Sequence, residues 1–192
     1  MTVIEIVGAL VGIAYLICEY RASIWTWVFG ILMPIAYVYI FFTSALYANT
    51  AINIYYIIAS VYGFFAWWKV RGTAVKPMVI KSCPSRYFLL IALSVVVLAE
   101  AIALLLSLLH ESRFPVLDGT TTALSIVMMY MLSKRWYQQW ILCIITEPLM
   151  IALSLLSGLY PTAIMYTIYL IVAILGYIRW KRQFHKQNPT QQ

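Results

Sequence analysis

Residues 44–69 read SALYANTAINIYYIIASVYGFFAWWK, and residues 157–182 read SGLYPTAIMYTIYLIVAILGYIRWKR, nearly the same apolar text written 113 residues later. Both carry S-x-L-Y, then Y-x-I, then G-x-x-x-W at identical spacing, and both close on basic residues. Sliding the chain on itself by 113 residues lays 3–69 on 116–182, and eleven of the 67 pairs are identical, among them Trp27/Trp140, Tyr56/Tyr169, Gly63/Gly176 and Trp67/Trp180. Charges match as well: Arg21 falls on Lys134, Lys69 on Arg182, and Glu5 on Asp118.

Hydrophobic residues make up 64% of the 192-residue chain and charged residues only 10%. A soluble domain carries roughly a quarter charged residues, so the solvent of this chain is lipid. Apolar runs long enough to cross a bilayer as helices fall at about 3–19, 24–43, 50–68, 87–109, 116–133, 136–156 and 161–179. The N-terminal run has neither a basic leader nor a small-residue cleavage site and reads as a first span rather than a signal peptide. With seven crossings, 12 of the 13 basic residues lie on one side, and only Arg113 on the other. The positive-inside rule then puts the N-terminus outside and the C-terminus in the cytoplasm. The net charge of +7 follows from this topology and implies no nucleic-acid partner. Trp25, Trp67, Trp68, Trp136 and Trp180 stand near helix ends, where an interfacial belt is expected. Three cysteines (Cys18, Cys83 and Cys143) give neither a disulfide framework nor a metal-ligand spacing.

The expected fold is all-α: a single transmembrane domain over 1–192, with one three-helix repeat at 3–69, a connecting helix at 87–109, and a second repeat at 116–182. The lone connecting span restores orientation, so the repeats are parallel, an arrangement used by transporters with substrate held near the midplane. A chain with a vestigial repeat serving as a membrane scaffold is the reading from another class.

Ionisable groups inside a span mark pathways. Glu147 lies mid-span in the sixth helix and is followed by Pro148; its repeat position is Pro34, which suggests broken helices at equal depth. Glu147 is therefore expected to face the bundle or a cavity; Glu100 lies mid-span in the fourth helix, where a pathway role and a helix–helix hydrogen bond are both open. Asn53, Tyr56 and Ser60 share one helix face, and Tyr166 and Tyr169 take the first two of those positions in the second copy. Such stripes can stack on a flat ring or hold a cation. Trp27 and Trp140 are candidates for either a gate or the belt; Thr121 and Thr122 either present hydroxyls or pack between helices. No Ser-His-Asp set, Walker loop or metal cluster is present in the sequence, so neither an enzyme nor a cofactor is expected.

The strings L-Y-A-N-x-x-x-N-x-Y-Y-x-x-x-x-x-Y-G-x-x-x-W (Leu46 to Trp67), K-R-W-x-x-x-W (Lys134 to Trp140) and G-L-Y-x-T-A-I-x-Y…G-Y-x-x-W-K (Gly158 to Lys181) resemble the bacterial Pnu vitamin transporters. The resemblance implies a three-one-three fold similar to full-length SWEET transporters and a homotrimer. It also implies facilitated diffusion of an unphosphorylated vitamin, trapped by a cytoplasmic kinase. Members carry nicotinamide riboside, thiamine or riboflavin. Nicotinamide riboside carriers of the family show W-x-x-W in the sixth helix, Asn or Asp four residues on, and a glutamine in the fifth. Here Trp140-Ile-Leu-Cys143, Glu147 and Met128-Met129 stand at those places. A buried carboxyl suits the thiazolium charge and aminopyrimidine edge of thiamine. Thiamine is therefore the expected substrate, with nicotinamide riboside as the alternative.

Overall fold

The structure, a computed structural model, describes residues 3–71 and 78–188, with the side chains of the first helix from Leu10 onward. Its described residues form seven α-helices: α1 (Val3–Tyr20), α2 (Trp25–Thr43), α3 (Tyr47–Arg71), α4 (Phe88–Leu108), α5 (Pro115–Ser133), α6 (Gln139–Leu156) and α7 (Tyr160–Gln187). Six are long and apolar enough to cross a membrane, and the described part of α1, Leu10–Tyr20, is a shorter apolar helix. The chain divides into two compact units, Met1–Met78 and Val79–Gln192, with the boundary in the connection before α4.

Five of the six connections are short, and each of the five turns on one left-handed residue. Ala22, Ala45, His110, Arg135 and Gly158 have φ of 52°, 59°, 56°, 62° and 73°. In each case the next N–H reaches back to close the last turn: Ser23 to the Cys18 carbonyl, Leu46 to Phe41, Glu111 to Leu106, Trp136 to Met131 and Leu159 to Ser154, all at 2.8–3.1 Å. This is the Schellman arrangement, which satisfies carbonyls that would otherwise be orphaned at a helix end. Ala22 and Arg135 are 113 residues apart, as are Ala45 and Gly158. Only one of the five positions is glycine, although a side chain there costs about 1–2 kcal/mol. Ala45→Gly should therefore stabilise the protein by up to about 1 kcal/mol, read as a thermal midpoint raised by roughly 2–4 °C in detergent. An unchanged or lowered midpoint would show that the left-handed strain is not felt.

The starts of the second unit's helices are also specified locally. Pro115 opens α5 and Pro161 lies in the first turn of α7, where a missing N–H removes no bond. Ser112 Oγ donates to the Asp118 carboxylate and accepts from the Phe114 N–H at 2.9 Å, holding the acid in the first turn of α5. α6 begins at Gln139 rather than 136, because residues 134–138 form the left-handed turn and a bridge to Lys81. Pro34 and Pro148 lie inside continuous helices, so the broken helices expected at those depths are not seen. At such a proline the carbonyl four residues earlier loses its usual donor while the axis runs on.

Small residues set the closest approaches. A Cβ on Gly119 would lie 2.7 Å from the Ala103 N and 2.8 Å from the Ala99 O, both backbone atoms of α4. The Ala-x-x-x-Ala step of α4 thus receives α5 backbone to backbone. Beneath this pair the segment before α4 folds over the α5–α6 turn, where Cys83, Val127, Met131 and Trp136 form a buried cluster. The Cys83 N–H donates to the Gln138 side chain at 2.9 Å, and burial pushes the Cys83 thiol above its usual range.

Candidate functional site

In the first unit, α2 and α3 carry the polar positions. Asn53 is buried and its Nδ2 donates to the Asn49 carbonyl at 2.8 Å. Tyr56 is half-buried, with its ring 5.8 Å from that of Tyr55. Ser60, one turn on, is fully buried and its Oγ donates to the Gly30 carbonyl of α2 at 3.2 Å. This hydrogen bond ties α3 to α2.

Trp27 and Trp140 are each 1% exposed. Each meets a second tryptophan edge-on: Trp27 to Trp67 at 5.5 Å and 85°, Trp140 to Trp180 at 5.7 Å and 85°. Each also lies flat on the glycine four residues before that partner, where a Cβ would come within 2.3 Å of Trp27 at Gly63 and 2.7 Å of Trp140 at Gly176. The pattern G-x-x-x-W is therefore a socket for an indole from the preceding helix. The belt reading fails for these residues: Trp67, Trp136 and Trp180 are buried, and only Trp25 and Trp68 of the five expected belt residues lie on the surface. Hydropathy and position near a helix end do not distinguish a tryptophan packed in a socket from one at the headgroups. The indole Nε1–H groups of both Trp27 and Trp140 are buried and, among the described residues, donate to nothing.

In the second unit, Glu147 is half-buried on α6, and Tyr169 of α7 lies within reach of its charge. Tyr166 and Tyr169 meet edge to face at 5.8 Å and 88°. A carboxyl whose charge reaches Tyr169, itself in ring contact with Tyr166, has the chemistry to hold a flat organic cation. One turn before Glu147 the buried Cys143 thiol lies 3.0 Å from the Met128 sulfur and 3.5 Å from Gln139 Oε1, and Gln139 is fully buried. Sequence reading missed Gln139, since an amide at the end of an apolar run looks like a headgroup residue.

Thr121 is buried and its hydroxyl bonds back to the Leu117 and Asp118 carbonyls at 3.0 and 3.1 Å, which makes it a packing residue. Thr122 is half-buried on the same helix. Glu100 departs from expectation: it is exposed on α4, and the neighbouring Ala99 and Ala103 take the contact with Gly119. The fourth helix turns its small residues, not its acid, toward α5. A shallow cleft of about 370 Å³ at the start of α5, lined by Phe114, Pro115, Val116, Leu117, Thr120 and Leu149, contains none of the expected site residues.

The family model described as nicotinamide mononucleotide transporter matches residues 2–182. The chain is similar to the nicotinamide riboside transporter PnuC of Neisseria mucosa, at 29% identity over 92% of this chain and 71% of that one. It is also similar to PnuC of Escherichia coli, at 22% identity over 92% of this chain and 84% of the relative. A crystal structure of the vitamin B3 transporter PnuC superposes with a TM-score of 0.74 at 28% identity, covering 94% of this chain and 81% of that one. With a family match that runs from the first helix to the basic end of the last, this multi-pass membrane protein belongs to the nicotinamide mononucleotide transporter family.

Proposed function

We propose that the protein carries nicotinamide riboside across the bacterial inner membrane by facilitated diffusion. The observation that supports this reading most is the likeness, over nine-tenths of the chain, to relatives named as nicotinamide riboside transporters. Thiamine, the substrate expected from the sequence, finds no support among these relatives. The reason for the misreading is physical: nicotinamide riboside is itself a ring cation, so the charge of Glu147 serves a pyridinium as well as a thiazolium. The carboxyl of Glu147 takes the ring cation, Tyr166 and Tyr169 contact its face, and Trp140 offers an indole N–H. Asn53, Tyr56 and Trp27 are the corresponding groups of the first repeat.

The repeat itself is part of this reading: α1–α3 and α5–α7 are like-oriented triplets joined by α4 within one transmembrane domain, as in SWEET-type carriers. Its support is local. The indole sockets and two of the left-handed turns recur at the same 113-residue offset. The N-terminus is outside and the C-terminus cytoplasmic, on the strength of the basic-residue bias. A homotrimer accords with Glu100, since a carboxyl on the outer face of a mid-membrane helix is costly against lipid and a neighbouring copy would cover it. The test is uptake of labelled nicotinamide riboside into proteoliposomes, in competition with thiamine and riboflavin.

A further inference from the structure

One end of the second unit gathers positive charge. The six acidic residues are Glu5, Glu19, Glu100, Glu111, Asp118 and Glu147, and none falls within residues 78–87, 134–138 or 179–192. Arg135 nevertheless occupies the buried side of the α5–α6 turn, with 7% exposure. Among the described residues its Nε has no hydrogen-bond partner. Burial pushes the guanidinium below its usual range, and no carboxylate acts in the other direction. A largely buried charge with no counterion among the described residues is unfavourable, and an anion from outside the chain would offset that cost.

Three further cations are tied to the same spot. The Lys81 N–H donates to the Arg135 carbonyl at 2.9 Å, and the Tyr137 N–H donates to the Lys81 carbonyl at 3.1 Å. Trp136, next in sequence, packs against Tyr87 at 5.7 Å and Tyr130 at 6.0 Å. The Arg86 guanidinium lies 5.0 Å from the centre of the Tyr87 ring, and Lys134 Nζ lies 5.3 Å from that of Tyr130. Tyr130, 47% exposed at the end of α5, stands where an interfacial tyrosine marks the depth of the lipid headgroups. Directly past Tyr87, the first turn of α4 presents Phe88, Leu89 and Leu90 outward, with Leu89 71% exposed.

We propose that the Arg135 guanidinium, with Lys81, Arg86 and Lys134 around it, binds the phosphate of an anionic phospholipid whose acyl chains lie along the first turns of α4. A guanidinium offers a fork of donors that matches phosphate oxygens, and lysines add point charge. Free inorganic phosphate shares the headgroup's chemistry, but it has no use for the apolar surface immediately beside the cations. Basic pockets at the ends of spanning helices take anionic headgroups by the same combination.

The experiment is native mass spectrometry of the purified full chain in neutral detergent, without substrate, given equal amounts of phosphatidylglycerol and phosphatidylcholine. The wild type should retain phosphatidylglycerol over phosphatidylcholine by at least about fivefold, and Arg135→Gln should reduce that preference by about fivefold. Arg86 is exposed, so Arg86→Gln, which leaves the core untouched, should give a smaller loss in the same direction. A wild type without preference for the anionic lipid would overturn the proposal, as would equal preference in wild type and both variants. Stabilisation by inorganic phosphate with no lipid preference would overturn the assignment to lipid.

Discussion

Replacing Glu147 by glutamine is expected to weaken nicotinamide riboside binding by more than about tenfold while leaving the fold intact. The substitution keeps size and shape and removes only the charge. A charge-assisted hydrogen bond contributes about 1.5–3 kcal/mol, and about 1.4 kcal/mol corresponds to tenfold in affinity. Glu147 is half-buried beside Tyr169, so its interaction with a ring cation is screened less than at a free surface. Calorimetric titration of wild type and variant, with thermal midpoints as the control for folding, measures the effect. An unchanged affinity in a folded variant would remove Glu147 from the site. Glu147→Asp should fall between the two, because it keeps the charge and withdraws it by one methylene.

Gly119→Ala should lower the thermal midpoint by several degrees, the largest stability effect expected of so small a change. Two effects compete. Alanine is the better helix former by about 0.8–1.0 kcal/mol, which alone would stabilise α5. Against this, the new methyl would meet the α4 backbone at 2.7–2.9 Å, and no side-chain rotation relieves a collision with backbone atoms. Overpacking of this kind typically costs about 1–3 kcal/mol, and the forced separation also loosens the contacts of α5 along α4. Gly30 is the contrasting case, since a Cβ there would meet the Ser60 hydroxyl and the Tyr15 ring at 3.1 and 3.3 Å, side chains rather than backbone. A higher midpoint for Gly119→Ala would show that helix propensity wins and that the two helices are not in backbone contact.

Much of the architecture was legible because a bilayer restricts the choices. Uninterrupted apolar runs have to become helices, and their number and lengths follow closely from residues such as those of 87–109. The 113-residue offset also foretold paired features, since the indole sockets at Gly63 and Gly176 lie where the sequence repeats. Directions of side chains were harder to read. In lipid both faces of a helix are apolar, so the periodicity that points a soluble helix at its core is weak. That is why Trp67 and Trp180 read as headgroup residues and are buried, and why Glu100 read as inward and is exposed. The four non-glycine left-handed turns had no sequence signal, because tertiary packing imposes them on Ala22, Ala45, His110 and Arg135. The choice of thiamine, which the PnuC relatives do not support, rested on a single carboxyl, and that reports the sign of its ligand and little of its shape.

The most direct test of the central claim is uptake into proteoliposomes with labelled nicotinamide riboside. The account predicts saturable uptake, independent of an imposed proton gradient, that excess unlabelled nicotinamide riboside abolishes and thiamine or riboflavin reduces much less. Uptake no faster than in protein-free vesicles, or one blocked better by thiamine than by nicotinamide riboside, would contradict it.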